Sequence, residues 1–207
     1  MSCDFLAVLI SQAVFYPYWS SMRFSLDKHV LSGARFVESP NQSERPPGIT
    51  IDLLVIHNIS LPPGEFGSQC VQDFFCNELD CSIHPFFSEI EDLKVSSHLF
   101  IDRRGSVTQF VPFDRKAWHA GESNFAGREN CNEFSIGIEL EGTDNDEFTP
   151  DQYQSLVEVT RLLLQAYPQL TTDRIVGHSD IAPGRKTDPG PCFNWEFYQS
   201  ALTDKQI

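Results

Sequence analysis

The 207-residue chain is short of positive charge: 15 Lys and Arg stand against 29 Asp and Glu, a formal net charge of −14. That balance argues against nucleic acid or an anionic membrane surface as a partner, and its plain reading is a solvated acidic surface. The chain also lacks any CxxC pair. Its six cysteines, Cys3, Cys70, Cys76, Cys81, Cys131 and Cys192, sit in a chain long enough to bury a core without staples. Free thiols in a reducing compartment are expected, and the spacing of Cys70, Cys76 and Cys81 matches no zinc pattern. There is no internal repeat and no low-complexity segment. The apolar run Phe5–Phe15 is too short to cross a bilayer. Asp4 precedes it where a secretory signal carries a basic residue, and Tyr16-Pro-Tyr-Trp19 follows where small residues would mark cleavage. A cytoplasmic protein with no membrane partner is therefore expected. Met22 opens a more conventional start, so residues 1–21 read as an N-terminal extension or start-site artefact and residues 22–207 as one domain.

What is present is a mixture of strand and helix signals without strict βαβ alternation. The composition of residues 38–48 predicts a loop, followed by a strand over 51–57. Residues 68–79 are weakly helical, and Ile83–Ile90 is irregular but rich in aromatics that should cover a site or core. Ser97–Asp102 and Val107–Val111 alternate around Arg103-Arg-Gly105 and predict a β-hairpin. Ala117–Gly121 reads as a short strand entering a loop, and Phe134–Gly142 as a strong strand. The clearest helix starts at Thr149-Pro-Asp-Gln152, a capping-box pattern, carries Tyr153, Leu156, Val157, Thr160, Leu163 and Leu164 on one stripe, and ends before Pro168. A strand over 174–178 and a short helix near 194–202 complete the chain. The fold class is α/β, a mixed central sheet flanked by helices.

Histidine carries the chemistry. His57 and His178 each follow an apolar run where a strand gives way to a loop, and Asp188 lies on the stiff loop after His178. Strand ends are where α/β sheets collect ligand-binding groups, and two imidazoles with one carboxylate leave a fourth position open, as a catalytic zinc needs. His98 and His119 form a competing pair that could meet across neighbouring strands, and any one histidine alone reads as structural. Glu139 alternates with Ile138 and Leu140, so it points from the opposite face and could move a proton, although an edge strand would merely expose it. Lys186 is held near Asp188 by the loop and could stabilise an oxyanion.

Several segments together carry a resemblance: Val55–Gly67, His84–Phe87, Val95–His98, Val111–Asp114, Ala117–Gly121, Ser135–Asp144 and Gly177–Pro191. From about Ala34 to Tyr198 the chain resembles the AmpD-type N-acetylmuramoyl-L-alanine amidases, a zinc family related to peptidoglycan recognition proteins. The resemblance implies one Zn²⁺ on His57, His178 and Asp188, a proton-handling role for Glu139 and an oxyanion role for Lys186. It implies a substrate groove lined by Asn58, Trp118, Phe86 and Phe87. Lys94 stands where the family often has arginine, as does Asn130, and Lys94 is carried as a substrate-binding residue. The implied activity is hydrolysis of the amide between anhydro-N-acetylmuramic acid and L-alanine of a muropeptide, in cytoplasmic peptidoglycan recycling; the sequence leaves the oligomeric state open, with a monomer favoured. A binding module of the same fold and a zinc peptidase acting within the stem peptide are the alternatives.

Overall fold

In a computed structural model, residues 23–203 are described, and the expectation for residues 1–21 lies outside them. Six strands form the central sheet, in the order Ile175–Gly177, Leu53–Ile59, Ser135–Glu141, Leu99–Ile101, Val107–Gln109 and Arg35–Phe36. The first four run parallel and the last two run against them, so the sheet is mixed. The predicted hairpin is present, with Leu99 opposite Gln109. Its turn is held by the Asp102 carboxylate, which accepts from the backbone N–H groups of Arg104 and Ser106. Gly105 in that turn has φ +74°, and a Cβ there would meet the Asp151 carbonyl oxygen at 2.4 Å, so only glycine lets the turn sit on the helix.

The sheet is buried on both faces, which is why Leu53–Ile59 begins as a continuous apolar run, whereas Ser135–Glu141 alternates apolar residues with the small and polar ones of its other face. On one face Leu54, Ile56, Ile136, Ile138 and Leu140 pack with Leu156, Val157 and Leu163 of the helix Pro150–Ala166 and with Tyr198 of the helix Trp195–Thr203. The Tyr198 and Thr160 hydroxyls meet at 2.7 Å and tie the two helices together. On the other face Leu53 and Val55 meet Ala120, Phe134 and Ile181. A third cluster joins Val71, Phe74 and Phe75 of the helix Cys70–Phe75 to Phe87 and Phe110. The described residues thus form a single α/β domain. Cys70, Cys76, Cys81, Cys131 and Cys192 are free thiols. Among the described residues no helix is long and apolar enough to cross a membrane.

Three local readings need correction. Gln42–Glu44, inside the expected loop, forms a short antiparallel pair with Arg115–Ala117, so the strand expected at 117–121 ends at Ala117. Neither partner has an apolar alternation to reveal it, since backbone pairing at the edge needs none. Phe87–Ile90 closes into one helical turn within the segment expected to be irregular. His178 does not end its strand but opens the helical turn His178–Ile181.

The long helix begins as its sequence predicts. Gln152 N–H donates to Thr149 Oγ1 at 3.1 Å and Thr149 N–H donates to Gln152 Oε1 at 3.0 Å. Thr149 Oγ1 also donates to the Arg103 carbonyl at 2.8 Å, and Gln152 Nε2 to those of Ile101 and Glu141, at 3.2 and 2.9 Å. The cap therefore joins the helix to two strand ends. Thr149→Ala should lower the unfolding free energy by about 1 kcal/mol or somewhat more, read as a lower urea midpoint at unchanged slope.

Candidate metal centre

Parallel register assembles the centre. Glu139 pairs with His57 across the two central strands, and Gly177 pairs with Ile56 on the other side, so that His178 enters beside His57. All three lie at the C-terminal ends of parallel strands, where an α/β sheet opens its crevice. The loop after His178 folds back, and Ser179 N–H donates to the Asp188 carbonyl at 3.0 Å, bringing its carboxylate in. His57 Nδ1 then stands 3.0 Å from His178 Nδ1 and 2.9 Å from Asp188 Oδ2, with 3.1 Å closing the triangle. Three ligand atoms held at roughly 2.0 Å around a tetrahedral zinc would stand roughly 3.3 Å apart. The triangle is within a few tenths of an ångström of that. These residues could hold a metal ion.

The donor set fits a cation as well as the spacing does. His178 Nε2 donates to the Ala120 carbonyl at 3.0 Å, leaving Nδ1 as a lone pair that faces the carboxylate. Arg185 Nη2 donates to the same carbonyl at 2.7 Å and to that of Glu122, which ties the loop after His178 to the loop that carries His119. Burial pushes the His57 imidazole down to about 4, with His178 and Lys186 adding to the effect against the Asp188 carboxylate, so the ring is neutral at physiological pH.

Glu139 lies on an interior strand and is not a solvated edge residue. Its Oε1 is 4.0 Å from His57 Nδ1, the side chain is 12 % exposed, and Oε2 is buried with no hydrogen-bond partner in the protein. Burial, then the Asp188 charge, drives its carboxyl well above the ordinary value, with Lys186 opposing. Glu139, Lys186, Asp188 and His178 line one cavity of about 530 Å³. Asn58, Thr143 and Asp144 line a polar part of it, and Leu61, Phe74 and Phe86 an apolar part. Asn58 Nδ2 donates to Asp144 Oδ1 at 2.8 Å. Phe87 is fully buried in the cluster that includes Phe86. Trp118 and Lys94 are not among the lining residues, and the Trp118 indole N–H donates to Ser43 Oγ at 3.1 Å.

His98 and His119 approach with ring centroids 5.7 Å apart but share no donor set. His98 Nδ1 accepts from Gly137 N–H and its Nε2 faces the Arg115 carbonyl. His119 instead reaches His57, Nδ1 to Nε2 at 2.9 Å. Sequence reasoning weighed His119 only as a rival ligand; nothing in the loop Trp118-His-Ala-Gly121 signals a supporting role. Asp144 was likewise unmarked beyond its place in a motif.

The profile of the N-acetylmuramoyl-L-alanine amidase family matches residues 47–191. The 1,6-anhydro-N-acetylmuramyl-L-alanine amidase AmpD of Haemophilus influenzae is 52% identical over 177 residues, covering 86% of this chain and 96% of the relative. AmpD of Escherichia coli is 55% identical over 170 residues, covering 82% and 92%. A crystal structure of a selenomethionine AmpD derivative superposes with a TM-score of 0.84 at 50% identity, covering 86% of this chain and 99% of that one. A more distant match, at 26% identity and a TM-score of 0.55, is the amidase AmiD of E. coli complexed with anhydro-N-acetylmuramic acid-L-Ala-D-gamma-Glu-L-Lys, covering 86% of this chain and 65% of that one. A triangle of two imidazoles and a carboxylate, set beside an unpartnered glutamate on this sheet, thus sits in a chain that belongs to the N-acetylmuramoyl-L-alanine amidase family.

Proposed function

We propose that the chain is a zinc-dependent hydrolase of the amide between anhydro-N-acetylmuramic acid and L-alanine in muropeptides, acting as a monomer in cytoplasmic peptidoglycan recycling. The observation that carries this reading is the triangle of His57, His178 and Asp188, with edges of 2.9 to 3.1 Å, in reach of the Glu139 carboxylate. Zinc held there supplies a lowered pKa for the attacking water and polarisation of the lactyl carbonyl. The remaining work belongs to side chains. Glu139 takes the proton from the attacking water and returns it to the alanine nitrogen as the C–N bond breaks. Its raised carboxyl suits both halves of that exchange, because an ordinary carboxylate would be too weak a base at neutral pH. Lys186 places its ammonium where the carbonyl oxygen gains negative charge.

For the substrate, Asn58 contacts the polar part and Phe86 the apolar part of the muropeptide, with Phe87 packed in the same cluster to hold Phe86 in place. Lys94 and Trp118, outside the lining, meet only portions of the substrate that extend past the cavity. The AmiD complex supports muropeptide as the ligand class, and the AmpD names support the anhydro form.

Incubating the zinc-replete protein with a defined anhydro-muropeptide should release the free anhydro-muramyl sugar and a peptide beginning with L-alanine, both seen by mass spectrometry, and a chelator should abolish the release. Shortened peptides still bearing sugar would overturn the assignment in favour of a peptidase. No cleavage by a zinc-loaded protein that binds the ligand would favour a recognition module.

Glu139→Gln gives a second check through linkage. A carboxyl whose folded value is raised above its unfolded value destabilises the fold once ionised in the unfolded chain, that is, above about pH 4.3. In the zinc-free protein the variant should therefore melt higher than the parent at pH 7, the gap closing as pH falls through that value. It should retain zinc and lose on the order of 100- to 10,000-fold in turnover. A variant that melts lower at pH 7, or cleaves at the parent rate, contradicts the role given to Glu139.

A further inference from the structure

The imidazole of His57 has two nitrogens, and the protein around it dictates which one carries the proton. The constraint starts at Ser135, the first residue of the strand Ser135–Glu141 and fully buried. Its Oγ lies 2.6 Å from the Cys131 carbonyl, which can only accept, so the single hydroxyl proton is spent there. Ser135 Oγ is also 3.0 Å from His119 Nε2 and must accept from it. His119 is then an Nε2–H imidazole with Nδ1 as a bare acceptor. That Nδ1 stands 2.9 Å from His57 Nε2, so His57 donates from Nε2 and its Nδ1 is left as a lone pair inside the triangle with His178 and Asp188.

The surroundings hold this chain of hydrogen bonds in one arrangement. A Cβ on Gly137 would lie 2.5 Å from the His119 ring, so the absence of a side chain there gives the imidazole its seat against the sheet. The backbone N–H groups of His119 and Ala120 both donate to Asn132 Oδ1, at 3.0 and 2.8 Å. Arg45 Nη1 donates to the carbonyls of Asn132 and Glu133, pinning the turn that presents the Cys131 carbonyl. Asp188 Oδ2 is 2.9 Å from His57 Nδ1 and, with no opposing influence, would draw a proton onto that nitrogen and compete with a metal for it.

We infer that His119 and Ser135 are positioning residues that lock His57 in the Nε2–H tautomer and so present Nδ1 as a ready metal ligand. This rests on the reading of His57, His178 and Asp188 as the zinc site, and it assigns a function to a histidine outside that triad. Hydrogen-bond partners behind a ligating histidine are generally worth 10- to 100-fold in metal affinity.

Two measurements decide the matter. Long-range ¹H–¹⁵N spectra of the zinc-free protein should show His57 and His119 both protonated at Nε2 and bare at Nδ1; a His57 carrying its proton on Nδ1 overturns the inference. Competition with a chromophoric chelator should then show zinc bound about 10- to 100-fold more weakly by His119→Phe, and less severely weakened by Ser135→Ala, which removes only a hydroxyl and serves if the phenylalanine variant fails to fold. His119→Gln, with an acceptor and a donor on one amide, should recover part of the loss and part of the His57 Nε2–H signature. Parent affinity in both His119→Phe and Ser135→Ala overturns the inference. Should the parent itself take up no zinc, the zinc reading fails, while the spectra still decide the tautomer.

Discussion

Lone pairs converge at the heart of this protein without a proton to separate them. His57 Nδ1, His178 Nδ1 and Asp188 Oδ2 stand within 3.1 Å of one another, all largely removed from water. Such an arrangement is unfavourable on its own, because desolvation and lone-pair repulsion both oppose it. A cation at the centre reverses the sign of every interaction involved. The fold holds the arrangement through register: the parallel pairing of Leu53–Ile59 with Ser135–Glu141 sets Glu139 against His57, and a slip of one residue would turn either side chain into the helix-covered core.

The strand Ser135–Glu141 shows how one alternating segment serves packing and chemistry together. Ile136, Ile138 and Leu140 fill the core beneath the long helix. On the opposite face Ser135 holds His119, Gly137 makes room for its ring and Glu139 enters the cavity. Glu141 continues the row in a structural part, accepting from the backbone of Gly67 and Arg103. The cost of the site is concentrated at Glu139, whose buried oxygen has no hydrogen-bond partner within the protein.

Much of this was legible in the residues. An apolar run marked the first long strand and a period-two pattern the second, Gly105 marked the hairpin, and Thr149, Pro150 and Gln152 marked the start of the long helix. His57 and His178 stood out because each follows an apolar run, and Asp188 because it lies on the stiff loop after His178; the structure brings the three together. What stayed hidden depends on tertiary placement. The pairing of Gln42–Glu44 with Arg115–Ala117 rests on backbone hydrogen bonds that leave no side-chain pattern. The attachment of His119 to His57 spans 62 positions and needs Gly137 and Ser135 beneath it, a coincidence no local window reveals. Trp118 and Lys94, marked by resemblance as groove residues, fall outside the cavity lining, and the Trp118 indole turns to Ser43.

The central claim is that one ion shares these three atoms. A crystal of the zinc-loaded protein, with anomalous differences collected on both sides of the zinc absorption edge, tests it most directly. The account predicts a single strong peak roughly 2.0 Å from His57 Nδ1, His178 Nδ1 and Asp188 Oδ2, open on the side facing Glu139 and Lys186. A peak bound through His57 Nε2, or zinc located away from the triangle, would contradict it.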